Sequence, residues 1–380
     1  MNTKRRLLEL DDMTPARVTR VLDRSVAWKA DPAAVPQVLA GKAVAAVFQK
    51  PSARTRTSVE VAVATLGGHP IYIREEEVGI DRRETAEDVA RTLASMCCLI
   101  AARVFEHETL VRMDNAVDVP VVNLLSDTGH PVQALADLLT LQETFGSLDG
   151  CRVAYVGDGN NVAASLAFAA ALAGIEVVVA SPSGFELDAD VVDRARNLGA
   201  TVELVGDPYD AVQGADCVYA DVWTSMGQEE EREARLRAFT GWTIDAALMK
   251  AANDDAIFLH CLPAHRGEEV AAEVIDGPQS RVWQQAGNRM DAVRALFVDM
   301  LEAGSTDGHP GQAATAAPHP AHPRRATGLE SEPARRAARG RRRRRDTGDG
   351  QPRSRRAGRG EGADSRRHDG LRHPRLHARR

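Results

Sequence analysis

Apolar positions along this chain follow two rhythms. Short, nearly continuous runs at 43–48 (AVAAVF), 69–74, 98–103 (CLIAAR) and 119–124 have the length of strands buried on both faces of a parallel sheet. Between them lie longer stretches, 57–66, 85–96 and 131–145, in which apolar residues recur every three or four positions, as in amphipathic helices. The first of these helices is expected to begin near Thr55 and to stop at Gly67-Gly68. Gly146-Ser147-Leu148-Asp149-Gly150 interrupts the pattern, which then restarts. Strands are expected at 152–156, 176–180, 201–205, 217–222 and 256–260, with helices at 162–173 and 191–199. A last amphipathic helix is expected at 288–301.

Alternation of this kind makes an α/β protein with two doubly wound parallel-sheet domains in series, joined by interdomain helices such as 131–145. The boundaries read from it are 1–135 for the first domain and 136–287 for the second, with a C-terminal helix, 288–304, packing back onto the first.

Charge divides the chain elsewhere. Residues 305–380 hold 20 Arg, no Lys and 8 Asp or Glu, a net of +12, which leaves −18 on the first 304 if the whole is −6. This Arg-rich segment has three Leu and no other large apolar residue, so burial cannot offset chain entropy and a disordered tail is expected. Its bias toward Arg, Gly, Ala and Pro suits a shifted reading frame in a GC-rich gene; binding to nucleic acid would be non-specific, through phosphate charge alone. No apolar run reaches the roughly 18–20 residues of a membrane span. The acidic turn after MNTKRRLLEL argues against a secretory signal, and five cysteines without paired spacing read as reduced thiols, so the expected location is cytoplasmic.

Candidate chemistry lies where the strand-like runs end. After 43–48 comes Gln49-Lys50-Pro51-Ser52-Ala53-Arg54-Thr55-Arg56-Thr57. A helix start there exposes backbone N–H groups, and arginines with hydroxyls around it make an anion site suited to phosphate. Arg103 ends the third run, and His130-Pro131-Val132-Gln133 follows the fourth. Ligands of parallel sheets gather at the carboxyl ends of strands, so Arg54, Arg103, His130 and Gln133 would share one edge. In the second half, Gly157-Asp158-Gly159-Asn160-Asn161 has valine where a dinucleotide loop needs its third glycine. Asn160 and Asn161 suit a carboxylate or an amino-acid backbone instead. Asp221, in Asp221-Val222-Trp223-Thr224-Ser225-Met226-Gly227, could hold an ammonium. Cys261, in His260-Cys261-Leu262-Pro263, is either a nucleophile or a polarisable contact. Asp221, His260 and Cys261 lack zinc-like spacing, so no metal is expected. Asn288-Arg289 adds one more cation on the last helix.

SxRTR, HPxQ, DxWxSMG and HCLP, in this order, resemble the ornithine carbamoyltransferase family over roughly residues 5–303. The resemblance implies carbamoyl phosphate bound by the first domain and L-ornithine by the second, closure between them, no cofactor, and a homotrimer or a multiple of trimers. It implies Ser52, Ala53, Arg54 and Thr55 around the phosphate, Arg103, His130 and Gln133 on the carbamoyl side, and Arg289 reaching the same substrate. Cys261 and Leu262 would lie between the substrates, with the Leu262–Pro263 bond cis. Asn161, Asp221, Ser225 and Met226 would contact ornithine. The groups assigned to catalysis are Arg54, Arg103, His130, Cys261 and Arg289. Five positions depart from the family pattern: Ala53 for threonine, Gln49 for glutamate, Gly79 for a glutamine that enters a neighbouring subunit's site, and Gly287 with Asp291 for Glu and His. Putrescine or N-acetylornithine remains open as the acceptor.

Overall fold

The computed structural model describes residues 5–224 and 229–306, all within one unit spanning Met1–Ala313. Among the described residues, nine strands form two parallel sheets. The first contains β1 (Ala43–Phe48), β2 (His69–Arg74), β3 (Leu99–Arg103) and β4 (Val121–Leu125) in the order β2-β1-β3-β4. The second contains β5 (Arg152–Val156), β6 (Glu176–Ala180), β7 (Thr201–Val205), β8 (Cys217–Ala220) and β9 (Ile257–His260) in the order β7-β6-β5-β8-β9. Every strand sits within two residues of its expected run; the central strands are buried on both faces and nearly all apolar, while the edge strands β2 and β7 are partly exposed and keep polar residues.

Strand order supplies what periodicity cannot. The direction of winding reverses between β1 and β3 in one sheet and between β5 and β8 in the other. Crevices open at such switch points, outside the carboxyl ends of the strands. The segments after β1, β3, β5 and β8 carry Arg54, the end of Arg103, Asn160 and Asp221. A register irregularity between Ala102 and Arg103 opposite β4 falls at one of these ends.

The helices are α1 (Pro15–Ala30), α2 (Ala53–Thr65), α3 (Glu75–Val78), α4 (Ala86–Ala94), α5 (His107–Ala116), α6 (Pro131–Phe145), α7 (Asn161–Ala173), α8 (Ala189–Asn197), α9 (Pro208–Val212), α10 (Arg232–Ala238), α11 (Ala246–Ala251), α12 (Ala272–Ile275) and α13 (Val282–Thr306). The pattern read from sequence omits α1, α5 and the short helices α3 and α9–α12. Two boundaries need correction. Helix α2 starts at Ala53, not near Thr55, since Ser52 is its N-cap and accepts from Thr55 N. Helix α13 runs from Val282 to Thr306, longer than 288–301 and two residues into the segment assigned to the tail. Gly287 does not break it: one interior glycine costs about 1 kcal/mol, and burial of Val293, Leu296 and Phe297 along the same helix outweighs that. The disorder expected from 307 onward lies outside the described residues.

Helix α6 is buried from Pro131 through Leu141 and carries the core between the sheets. One apolar cluster runs from Val44 and Val63 through Leu135 and Leu139 of α6 to Phe168 and Val177. Helix α13 packs against α1, α2 and α6, which brings Arg289 beside the start of α2.

Candidate active site

The first lobe concentrates positive charge. Successive helical residues are about 100° apart, so Arg54 and Arg56 leave α2 in different directions. Arg54 Nη2 donates to the Leu262 carbonyl oxygen at 2.7 Å. Arg56 instead lies over the Tyr72 ring, 3.9 Å from its centroid, and pairs with Glu60. Arg289 is 3% exposed; Nη2 donates to Thr55 Oγ1 at 2.9 Å and Nη1 to Gln133 Oε1 at 2.8 Å. Arg103 is 6% exposed. Among the described residues none of Arg54, Arg103 and Arg289 has a carboxylate partner, and the buried Nε atoms of Arg103 and Arg289 have no hydrogen bond. Burial, helped by the neighbouring guanidinium groups, lowers Arg103 and Arg289 to about 10 each, which leaves both charged at neutral pH. A cluster of like charges without counterions is the electrostatic form of an anion site.

His130, at the N-terminal end of α6, faces the same cluster. Burial first, then Arg289, Arg103 and Arg54, hold its imidazole well below the usual histidine range, so it is neutral. Nε2 lies 3.4 Å from Arg289 Nη1, and a guanidinium only donates. That contact assigns the ring proton to Nδ1, a buried atom with no partner. Thr55 Oγ1 accepts from both Ser52 Oγ, at 3.0 Å, and Arg289, so its own hydrogen is available. These are donors placed to receive charge developing on a carbonyl oxygen.

Asp137 organises the floor of the site and carries no signature in the motifs above. Its Oδ1 accepts from Gln133 Nε2 at 2.8 Å and Gln285 Nε2 at 2.7 Å, and its Oδ2 from the Tyr219 hydroxyl at 3.0 Å. Burial raises this carboxyl to about 6 against the three donors. The Asp137 contact turns the Gln133 oxygen toward Arg289. Gln285 in turn accepts from His260 N, which ties α6 to the end of β9. One signal was available: Gln133 and Asp137 are four apart, neighbours on one helix face.

In the second lobe Asn160, Asp221 and Cys261 satisfy one another, while the nearby Trp223 Nε1 and Thr224 Oγ1 have no hydrogen bond among the described residues. Asn160 caps α7, accepting from Val162 N and Ala163 N, and its Nδ2 donates to Asp221 Oδ2 at 2.8 Å. The Cys261 thiol donates to Asp221 Oδ1 at 2.8 Å. Burial and Asp221 push this thiol well above its ordinary value, so it stays protonated, and the polarisable-contact reading is favoured over the nucleophile. Asn161 Nδ2 donates to the Ser126 carbonyl oxygen at 2.6 Å, a bond between the lobes. The Leu262–Pro263 bond is cis. Ser225 and Met226 lie outside the described residues.

Sequence spacing is a poor guide at one point. The ligand-type atoms of Asp221, His260 and Cys261 come within 4.8 Å of one another, because β8 and β9 are adjacent. Both nitrogens of the His260 ring are nonetheless committed: Nδ1 accepts from Leu262 N at 2.8 Å and Nε2 faces Glu269 Oε1 at 3.2 Å. Coordination there would have to break those contacts.

Comparison with known proteins agrees with this arrangement. Residues 5–143 match the family described as aspartate/ornithine carbamoyltransferase, carbamoyl-P binding domain, and residues 149–300 match the Asp/Orn binding domain of the same family. The chain is 49% identical over 310 residues to an ornithine carbamoyltransferase of Acidothermus cellulolyticus, covering 80% of this chain and 99% of that one. It is 46% identical over 299 residues to an anabolic ornithine carbamoyltransferase of Pyrococcus furiosus, covering 77% and 95%. The crystal structure of ornithine carbamoyltransferase from Thermus thermophilus superposes with a TM-score of 0.72 at 45% identity, covering 78% of this chain and 99% of that one.

Proposed function

The chain belongs to the aspartate/ornithine carbamoyltransferase family, and from that premise we propose that it transfers the carbamoyl group of carbamoyl phosphate to the δ-amine of L-ornithine. The products are L-citrulline and phosphate, in the biosynthetic direction that leads to arginine. The carrying observation is the convergence of Arg54, Arg103 and Arg289 without a carboxylate, beside a neutral His130 with an unpartnered Nδ1.

Arg54, Arg289 and the start of α2, with Ser52, Ala53 and Thr55, hold the phosphate. Ala53 contributes its backbone N–H. Arg103, His130 and the Thr55 hydroxyl face the carbonyl oxygen, and Gln133 faces the carbamoyl nitrogen. Asp221 and Asn161, with Ser225 and Met226, take the amino acid, and Cys261 and Leu262 line the space between. The neutral amine attacks the carbamoyl carbon and the oxygen gains charge. The C–O bond to phosphate then breaks, and the amine's surplus proton leaves with the phosphate. A donor aimed at that oxygen contributes about 3–4 kcal/mol to such a barrier, and alignment of two bound reactants supplies much of the rest. The enzyme works as a cytoplasmic homotrimer or a multiple of trimers, a reading supported by the family resemblance.

The test is citrulline formation by the full chain with ornithine, putrescine and N-acetylornithine compared at equal concentration. Turnover with ornithine at least about a hundredfold above the others is expected, since a site built around a charged group rejects analogues lacking it. Preference for another amine would overturn the assignment.

A further inference from the structure

Glu9 stands in an apolar run, Leu7-Leu8-Glu9-Leu10, and is 7% exposed. Its carboxyl does not turn to solvent. Oε1 accepts from Leu10 N at 2.7 Å, and the Ser165 hydroxyl lies 2.9 and 3.0 Å from the two carboxyl oxygens. Ser165 belongs to α7 of the second lobe and is itself fully buried. The same hydroxyl accepts from the backbone N–H of His130 at 2.8 Å. Thus a three-member chain runs from the N-terminal segment, through the second lobe, to the residue that opens α6 in the first.

The fit around this chain is close. A Cβ on Gly129, the residue before His130, would lie 1.9 Å from Glu9 Oε2, so only glycine lets the carboxyl reach Ser165. The loop Ser126–His130 is held a second time by α7, through Asn161 and the Ser126 carbonyl oxygen. Nothing in the reaction outlined above uses Glu9 or Ser165, yet both stand directly behind an imidazole assigned to the reacting carbonyl.

We propose that Glu9 and Ser165 are positioning residues for His130, a brace that fixes the start of α6 against the second lobe and so sets the aim of the imidazole. The inference rests on the carbamoyl-transfer reading. Ser165 can accept from His130 N–H only while its own hydrogen is directed elsewhere, and Glu9 receives that hydrogen. Burial raises the Glu9 carboxyl to about 8. The charged groups around it are Asp11 and Asp12 on its own segment and Arg194 of α8. Arg194 pairs with Asp11, and Glu9 has no ion pair among the described residues. Ionisation costs the folded chain the burial of a charge but leaves a carboxylate that still accepts from Ser165 and Leu10, so the brace rests on that geometry and not on the proton.

The experiment is steady-state citrulline formation by the full chain, from about pH 6.5 to 9.5, for wild type, Ser165→Ala, Glu9→Gln and Glu9→Ala, with Tm measured alongside. Ser165→Ala should lower kcat about tenfold, the effect of one orphaned buried donor, with the ornithine KM changed less than about twofold. Glu9→Gln, which keeps a neutral hydrogen-bonding side chain, should recover most of the kcat lost in Glu9→Ala. Should Glu9→Ala fail to fold, the kcat-against-KM split in Ser165→Ala still decides. Wild-type kcat in Ser165→Ala overturns the inference, as does a Glu9→Ala kcat equal to that of wild type while only Tm moves. If wild type makes no citrulline, the carbamoyl-transfer reading fails and this inference with it.

Discussion

The two halves of the site treat their charged groups in opposite ways. Among the described residues, Arg54, Arg103 and Arg289 of the first lobe converge with no carboxylate partner, and donors at His130 Nδ1, Arg103 Nε and Arg289 Nε have no hydrogen bond. In the second, both oxygens of Asp221 are occupied, one by Asn160 and one by Cys261. Unpaired buried donors are costly, and they persist where a ligand of opposite charge recovers that cost. A satisfied group is stable by itself, and a ligand gains from it only by exchanging one bond for another. Under the carbamoyl-transfer reading proposed above, the first lobe is preorganised for an anion, and the second exchanges an Asp221 contact to Asn160 or Cys261 for one to an ammonium.

Removal of one cation tests this comparison most severely. Arg54→Ala should lower kcat/KM for carbamoyl phosphate by about a thousandfold, roughly 4 kcal/mol, with Tm nearly unchanged because Arg54 satisfies no buried carboxylate. Turnover within about tenfold of wild type would break the contrast, as measured by initial rates at varied carbamoyl phosphate. Asp221→Asn should raise the ornithine KM about ten- to a hundredfold while leaving the carbamoyl phosphate KM near its wild-type value, since the charge is lost but the hydrogen-bonding shape is kept. Equal effects on both substrates would show that the halves are not separate.

A smaller effect concerns stability. Glu9 holds its proton to about 8 in the folded chain, against an ordinary value of 4.5. Between those two values the unfolded chain has released a proton that the folded chain keeps, so stability falls as pH rises and levels off above the higher one. Glu9→Gln removes this loss. Its stability advantage over wild type, read by denaturant unfolding, should grow across that window by on the order of 1–3 kcal/mol. A gap independent of pH would contradict the buried, unpaired carboxyl. The smallest effect is expected at Arg56→Ala. That residue gives up an exposed ring contact and an i,i+4 pair, together less than about 1 kcal/mol, with kcat and both KM values unchanged. Loss of carbamoyl phosphate affinity in Arg56→Ala would mean that both arginines of the motif serve the phosphate.

Much of this was legible beforehand, for identifiable reasons. Among the described residues the strands stand out as short, mostly apolar runs, with β1, β3, β8 and β9 buried almost throughout, and α6 stands out because Pro131 and Gly146 mark its ends. Helix α1 was equally readable, with Thr14-Pro15 as its start and Val18, Val21, Leu22, Ser25 and Trp28 on one buried face. Asp137 and Glu9 were not. A carboxylate in an apolar helix or run has no sequence mark that separates a buried hub from a surface charge. What decides is the donors brought to it, Gln285 from α13 for one and Ser165 from α7 for the other.

The amino-acid sequence by itself determined the alternation of strand and helix, the restart after Gly150, and the chemical types gathered at the strand ends. These follow from local periodicity and capping, which act over a few residues. Tertiary structure alone decided that Arg54 reaches the Leu262 carbonyl oxygen, that α13 delivers Arg289 to Thr55, and that Asp221 meets Cys261. Strand order and helix packing set those distances across separations of 40 to more than 230 residues, and electrostatics and hydrogen bonding respond to distance in space rather than along the chain.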